Sequence, residues 1–418
     1  MMTTVDAWST VPSLPSTVAQ FRRKIMSSQN QEFTEGPQVY RPGGFHPVYL
    51  GEVYNGKYEV LRKLGSGRYS TVWLVQNREE CNFRALKILS AECYGGLKDT
   101  YEREILEHLR DADPSHPGYA YISTLVDSFE HQGPNGRHVC LVFRVMGETL
   151  RSFGTWFEHH MIPNEIMRRF TIQLLLALDY AHDHNVIHTD IKPDNIFVQI
   201  QDESLISKLY LPNNPADPAG FDTSTNPSSI QCQPLKWDYF QNGANLLEFD
   251  IALGDWGVAS WTHSHLTELI QPVALRAPEV LIKAPWGPST DLWNLGAVIL
   301  EVFRAVRMFS GRVPPDGHYE VRSHLHEIVD LFGPFPKSLL QKGDQELVQE
   351  YFDSAGKVKH LPPLDRPGLE SEAFLGKLDR KNKRQFVIFL RSLMKVDPEE
   401  RKTTMELLAE PWLDAVRA

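Results

Sequence analysis

Apolar and polar positions alternate in three runs near the front of the chain: Tyr58-Glu59-Val60-Leu61-Arg62-Lys63-Leu64, Thr71-Val72-Trp73-Leu74-Val75 and Phe83-Arg84-Ala85-Leu86-Lys87-Ile88-Leu89. Strands with one face on a core have this pattern. Turn residues separate the runs, with Gly65-Ser66-Gly67 at the first tip. Over residues 99–110 the period lengthens. Ile105, Leu106 and Leu109 recur there at helical spacing and predict a helix. Apolar runs at 122–129 and 139–145 predict two further strands. The front part is thus a small sheet with one helix. From Leu150 onward helical periodicity dominates, including an apolar helix over 170–181 that precedes a short strand-like run, Ile196-Phe197-Val198. A small sheet followed by a mostly helical region is an α+β pattern.

Two segments stand outside this pattern. Residues 1–40 lack steady periodicity and are expected to be a flexible tail. The stretch at about 201–247 is rich in Asn, Pro, Ser and Asp, and reads as a loop or disordered insert. The first thirty residues hold Arg22, Arg23 and Lys24 with only Asp6 as an acid, but Pro12 and Pro15 favour a flexible arm over a transit peptide.

Composition narrows the class. The 418 residues are 42% hydrophobic and 23% charged, as in an ordinary globular protein. A formal net charge of −10 argues against binding nucleic acid through phosphate contacts and is compatible with a basic protein partner. Cys81, Cys93, Cys140 and Cys232 show neither metal-ligand spacing nor disulfide density, so a reducing compartment is expected, cytoplasmic, nuclear or both. No run of about twenty apolar residues predicts a membrane span.

The candidate chemistry begins at His188-Thr189-Asp190-Ile191-Lys192-Pro193-Asp194-Asn195. Asp190 can accept a proton from a hydroxyl, Lys192 can reach a transferring phosphate, and Asn195 can hold a divalent metal through its carbonyl oxygen. The strand-turn-strand loop Leu64-Gly65-Ser66-Gly67-Arg68-Tyr69-Ser70-Thr71-Val72 would let backbone amides approach phosphates, although Ser70 stands where a third glycine is usual. Lys87, in Ala85-Leu86-Lys87, would pair the phosphates if it faces inward, and it then needs an acidic partner. Glu104 is expected to be that partner, with Glu102 and Glu107 on the solvated face. Asp255, in Gly254-Asp255-Trp256-Gly257, offers a second magnesium ligand. Ala277-Pro278-Glu279 follows about twenty residues later, and Glu279 with Arg401 is expected to form a buried ion pair. Charges in this order point to phosphoryl transfer from ATP with Mg²⁺, where catalysis is positioning and charge neutralisation.

With those residues the chain resembles the eukaryotic protein kinases, and within them the serine/arginine-rich protein kinases, in a fungal-type form. The closer resemblance rests on Tyr40-Arg41-Pro42-Gly43-Gly44-Phe45-His46-Pro47-Val48 with Tyr54-Asn55-Gly56-Lys57-Tyr58, on Thr189 before Asp190, and on Val142-Phe143-Arg144-Val145-Met146-Gly147. It implies a bilobal α+β kinase fold with a lead-in at 41–57, a small lobe at 58–147 and a large lobe at 148–413. It also implies Phe143 as gatekeeper, Met146 as the backbone contact for adenine, and a monomer acting on Ser or Thr in protein substrates, some of them Arg/Ser-rich and linked to mRNA splicing. Thr189 cannot pair a phosphorylated loop as an arginine would, which predicts constitutive activity. The region expected to dock basic substrate, residues 320–330, interleaves acids and bases, and does not read as an acidic groove.

Two other classes compete. A pseudokinase scaffold would bind nucleotide or partners without turnover, and Ser70 and Trp256 lean that way. A small-molecule kinase would share the loop chemistry but usually lacks the Ala277-Pro278-Glu279 segment. The complete set of charged positions argues for a protein kinase.

Overall fold

The alternating runs become neighbouring strands of one antiparallel sheet. The computed structural model describes residues 35–96, 100–236, 248–304, 308–313, 317–362, 364, 368–375 and 378–414. Six strands, β1 (Val53–Tyr54), β2 (Tyr58–Ser66), β3 (Ser70–Asn77), β4 (Asn82–Leu89), β5 (Leu125–Gly133) and β6 (Gly136–Phe143), lie in the order β1-β2-β3-β4-β6-β5. Alternation decides which face each side chain takes. In β6, Val139 and Leu141 join the main core, whereas Cys140 and Val142 pack on the other face with Val60, Trp73, Val75, Leu86 and Ile88. The lead-in closes that second face with Val48, Leu50 and Tyr54. The apolar run at 122–129 is only partly strand. Ile122 instead makes an isolated parallel bridge to Leu253.

Helix α1 (Glu102–Asp111) buries Glu102, Ile105, Leu106 and Leu109, which share one face at spacings of three and four. The larger lobe is built on α2 (Leu150–Gly154), α3 (Asn164–Asp183), α4 (Ser289–Arg304), α5 (Val321–Phe332) and α6 (Arg380–Leu393). Leu174 and Leu178 of α3, Trp293 and Leu300 of α4, and Phe386 and Leu390 of α6 belong to a core that continues into Ile105 and Leu109 of α1. Short strands mark the junction between the lobes. β7 (Met146–Thr149), β9 (Ile196–Gln199) and β10 (Ile251–Leu253) form a sheet in the order β10-β9-β7, and β8 (Val186–Ile187) pairs with β11 (Ser260–Trp261).

Two segments depart from the expected disorder. The tail expected over 1–40 lies outside the described residues up to 34, but Glu35 is buried and pairs with the buried Lys63 of β2, and Tyr40 donates to the same carboxylate. The insert expected at about 201–247 is packed as far as residue 236; residues 237–247 lie outside the described set. Ile206, Tyr210 and Leu235 are buried against Leu74 and Val145. The amides of Leu50 and Gln233 donate to Gly220 and Lys63 carbonyls at 2.8 and 2.7 Å, and Tyr49 and Arg62 donate to Thr225 and Asn214 carbonyls at 3.1 and 2.7 Å. Its apolar residues are too sparse for a periodic signal, yet Ile206, Tyr210, Ile230 and Leu235 meet apolar patches of the small lobe.

Candidate active site

The loop between β8 and β9 is held by buried groups before it presents any charge. Asp291, in the first turn of α4 and wholly buried, accepts the amides of His188 and Thr189 at 2.8 and 2.9 Å and also faces His182 Nε2 at 3.0 Å. The His188 ring sits 3.0 Å from the Gly254 carbonyl and packs on Trp256 at 4.6 Å. Thr189 has a positive φ of 65°, costly for a β-branched residue, and its hydroxyl donates to the Val258 carbonyl at 2.8 Å. Strain of this kind persists only where the surroundings over-determine the backbone, and here three hydrogen bonds do so.

On this frame Asp190 is gripped from two sides. Lys192 Nζ lies 2.7 Å from Asp190 Oδ2, and Asn195 Nδ2 lies 2.9 Å from both Oδ2 and the Asp190 carbonyl. Both amide hydrogens of Asn195 are thereby directed at Asp190, which leaves its carbonyl oxygen for a cation.

Across the cleft, Lys87 of β4 lies between two carboxylates, 2.5 Å from Glu102 Oε1 and 2.8 Å from Asp255 Oδ1. Burial alone would depress the Lys87 ammonium, but the charges of Asp255 and Glu102 outweigh it and hold it above its ordinary value. The Lys87 charge pulls Asp255 down to about 2, whereas burial raises Glu102. Of the three, Asp255 is the one most open to solvent. Asp255 also adopts a positive φ, 58°, at the tight turn after β10. A Cβ on Gly257 would come within 3.1 Å of Glu102 Oε2, so this turn approaches the ion pair closely.

Glu102, and not the expected Glu104, is thus the partner of Lys87. The two differ by two helical positions, about 200° around the axis. Glu102 lies three and four residues before Ile105 and Leu106 and shares their buried face, while Glu104 is part-exposed and accepts a hydrogen bond from Tyr94 at 3.1 Å. Its position on that stripe was the available signal. Asp291 was missed as a site residue altogether. An acid in the first turn of a helix is common, and only the fold shows which loop it faces.

The phosphate-side loop joins β2 to β3, with the Gly67 amide donating to the Ser70 carbonyl at 2.8 Å. A Cβ added at Gly65 would meet nothing within 4 Å, so the space beside it is open. Ser70 is buried and Arg68 lies over the Tyr69 ring at 5.5 Å. Thr71 turns inward and accepts from Trp73 Nε1 at 2.9 Å. Opposite, Ala85 pairs with Leu74 and with Phe143, and Val72 pairs with Lys87. Leu64 and Met146 are half-buried, Met146 opening β7 just beyond Phe143.

Comparison with known proteins agrees with this geometry. A family model described as the protein kinase domain matches residues 58–210 and 241–413. The chain belongs to the protein kinase family. A serine/threonine protein kinase of Aspergillus fumigatus is 32% identical over 97% of this chain and 96% of its own length. The serine/threonine-protein kinase SRPK of Physarum polycephalum is 29% identical over 91% of each chain, and protein kinase dsk1 of Schizosaccharomyces pombe is 28% identical over 95% of this chain and 88% of its own. The internal stretch outside the match, 211–240, belongs to the insert, which is packed as far as residue 236. In this kinase the expected ion pair is also present: Glu279 and Arg401 meet through two 2.7 Å hydrogen bonds with neither side chain exposed.

Proposed function

We propose that the chain is a protein serine/threonine kinase in which Asp190 accepts or orients the proton of a Ser or Thr hydroxyl attacking the γ-phosphate of ATP. The observation that carries this reading is the convergence of Lys192 and Asn195 on one oxygen of Asp190, with Lys87 held between Glu102 and Asp255. Lys87 would neutralise nucleotide phosphates, Lys192 would steady the transferring group, and the open space beside Gly65 would admit the phosphates. Phe143 and Met146 would border the adenine. The Asn195 carbonyl oxygen and Asp255 carboxylate are a hard oxygen donor set suited to magnesium, which when bound neutralises charge on the phosphates.

The scaffold alternative gains nothing from the two positions that suggested it. Ser70 continues strand β3 opposite Leu89, and Trp256 fills the core beneath His188. Constitutive activity is supported by Thr189, whose neutral hydroxyl ties the catalytic loop to Val258 without a charged partner.

Relatives named SRPK suggest Arg/Ser-rich protein substrates. In the 320–330 region both glutamates are engaged within the protein: Glu327 accepts from the Ser310 and Gly311 amides at 2.6 and 3.1 Å, and Glu320 lies 2.8 Å from His318. A degenerate peptide array with magnesium and ATP tests both levels. Transfer to Ser or Thr supports the kinase reading, selection of flanking Arg supports the substrate class, and an inert array defeats both.

A further inference from the structure

Asp194 is the one acidic residue of the catalytic loop that the site does not use. It lies between Lys192 and Asn195, and its carboxylate is gripped by Arg151, from α2 just beyond β7. Arg151 Nε is 2.7 Å from Oδ1 and Nη2 is 2.8 Å from Oδ2, a fork-to-fork pair. Arg151 Nη1 also lies 3.8 Å from Glu301 of α4.

The pair is not a structural tie of the Glu279–Arg401 kind. Side-chain exposures are 38% for Arg151 and 43% for Asp194, against zero for both members of that buried pair. The loop is already fixed on either side, because Pro193 and Asn195 are buried and Asn195 is bonded to Asp190. Asp194 follows Asp190 by four residues and is part-exposed, so an unpaired carboxylate there would draw a basic side chain flanking a hydroxyl brought to Asp190.

We propose that Arg151 is a specificity-determining residue, an internal guanidinium that occupies Asp194 and withholds it from basic side chains flanking the phosphoacceptor. This rests on the kinase reading above. It locates selection for Arg, where the enzyme shows any, away from the catalytic loop, and it makes a single side chain the determinant of charge preference beside the acceptor.

The test compares kcat/KM for paired peptides, identical except for Arg or Ala at each position within three residues of the acceptor Ser. In the full-length Arg151→Gln enzyme the Arg-to-Ala ratio is expected to rise about fivefold at one or more positions, the scale of one half-exposed charge pair. Arg151→Lys keeps a cation beside Asp194 and is expected to return the ratio toward the wild-type value. An unchanged ratio in an active Arg151→Gln enzyme overturns the inference. So does an equal loss on both peptides that Lys does not rescue, which would make the pair purely structural. A wild-type enzyme that phosphorylates no peptide overturns the kinase reading together with this one, an outcome distinct from losing the ratio effect alone.

Discussion

Glu279 and Arg401, 122 residues apart, meet through paired 2.7 Å hydrogen bonds in a place no solvent reaches. Thr290 adds a hydroxyl to Glu279 at 2.8 Å, and Arg401 reaches the Ser289 and Lys395 carbonyls, both at 2.9 Å. Arg401→Ala would strand a buried carboxylate, and the expected loss of stability is about 3–5 kcal/mol. Equilibrium urea unfolding measures it. A loss under about 1 kcal/mol would show that the pair contributes little beyond its own desolvation cost.

Glu102 and Glu104 separate cleanly by substitution. Glu102→Gln removes one of two charges on Lys87 and is expected to lower kcat/KM about a hundredfold, the order of cost for misplacing a catalytic group. Glu104→Gln is expected to stay within about twofold, since it alters a part-exposed contact with Tyr94. Reversal of that ranking would return the role to Glu104.

Asp190→Ala leaves Lys87, Asp255 and the glycine loop in place. Phosphoryl transfer is expected to fall by about 10²–10⁴, the range for a general base, while nucleotide affinity stays near wild type. Fluorescence titration with a nucleotide analogue beside a transfer assay distinguishes the two effects. Equal activity in this variant sinks the mechanism.

Acid sensitivity is built into the small lobe. His46 is buried beside His131 and His138, with ring centroids 4.5 and 5.0 Å away, and lies 3.0 Å from the Tyr54 hydroxyl, which donates to Glu52. Burial first, then the two neighbouring imidazoles, lowers it from 6.5 to about 3. The unfolded chain therefore binds a proton that the folded chain refuses, so stability present above about pH 6.5 declines as pH falls toward 3. The urea midpoint is expected to drop between pH 7.5 and 5.5, and His46→Phe should flatten that dependence. An equally steep decline in the variant would place the titration elsewhere.

The chemistry was legible in the sequence where it is local and the rest where it is periodic. Asp190, Lys192 and Asn195 sit within six consecutive residues, so their meeting needed only a turn. Glu279 and Arg401 were legible because each lies in a recognisable setting. Glu104 misled because residue type alone does not distinguish it from Glu102, whereas helix phase does and places Glu102 beside Lys87. Asp291 and Arg151 were silent because their partners are set by tertiary packing alone. The insert was obscured by its composition, since Tyr210 and Ile206 find part of their apolar surroundings on another lobe, at Leu74.

The 201–236 segment leaves the strand that follows Asn195 and ends bonded to Lys63, two residues from Gly65. It therefore spans the same gap as the hinge after Phe143, held to the small lobe by hydrogen bonds and apolar contacts where the hinge is held by the chain itself. A cleft with two tethers cannot gape without shedding one of them. If spent nucleotide leaves by the opening of this cleft, its departure depends on how readily Tyr210 and Leu235 come off the small lobe, and a stretch far from the phosphates then sets turnover.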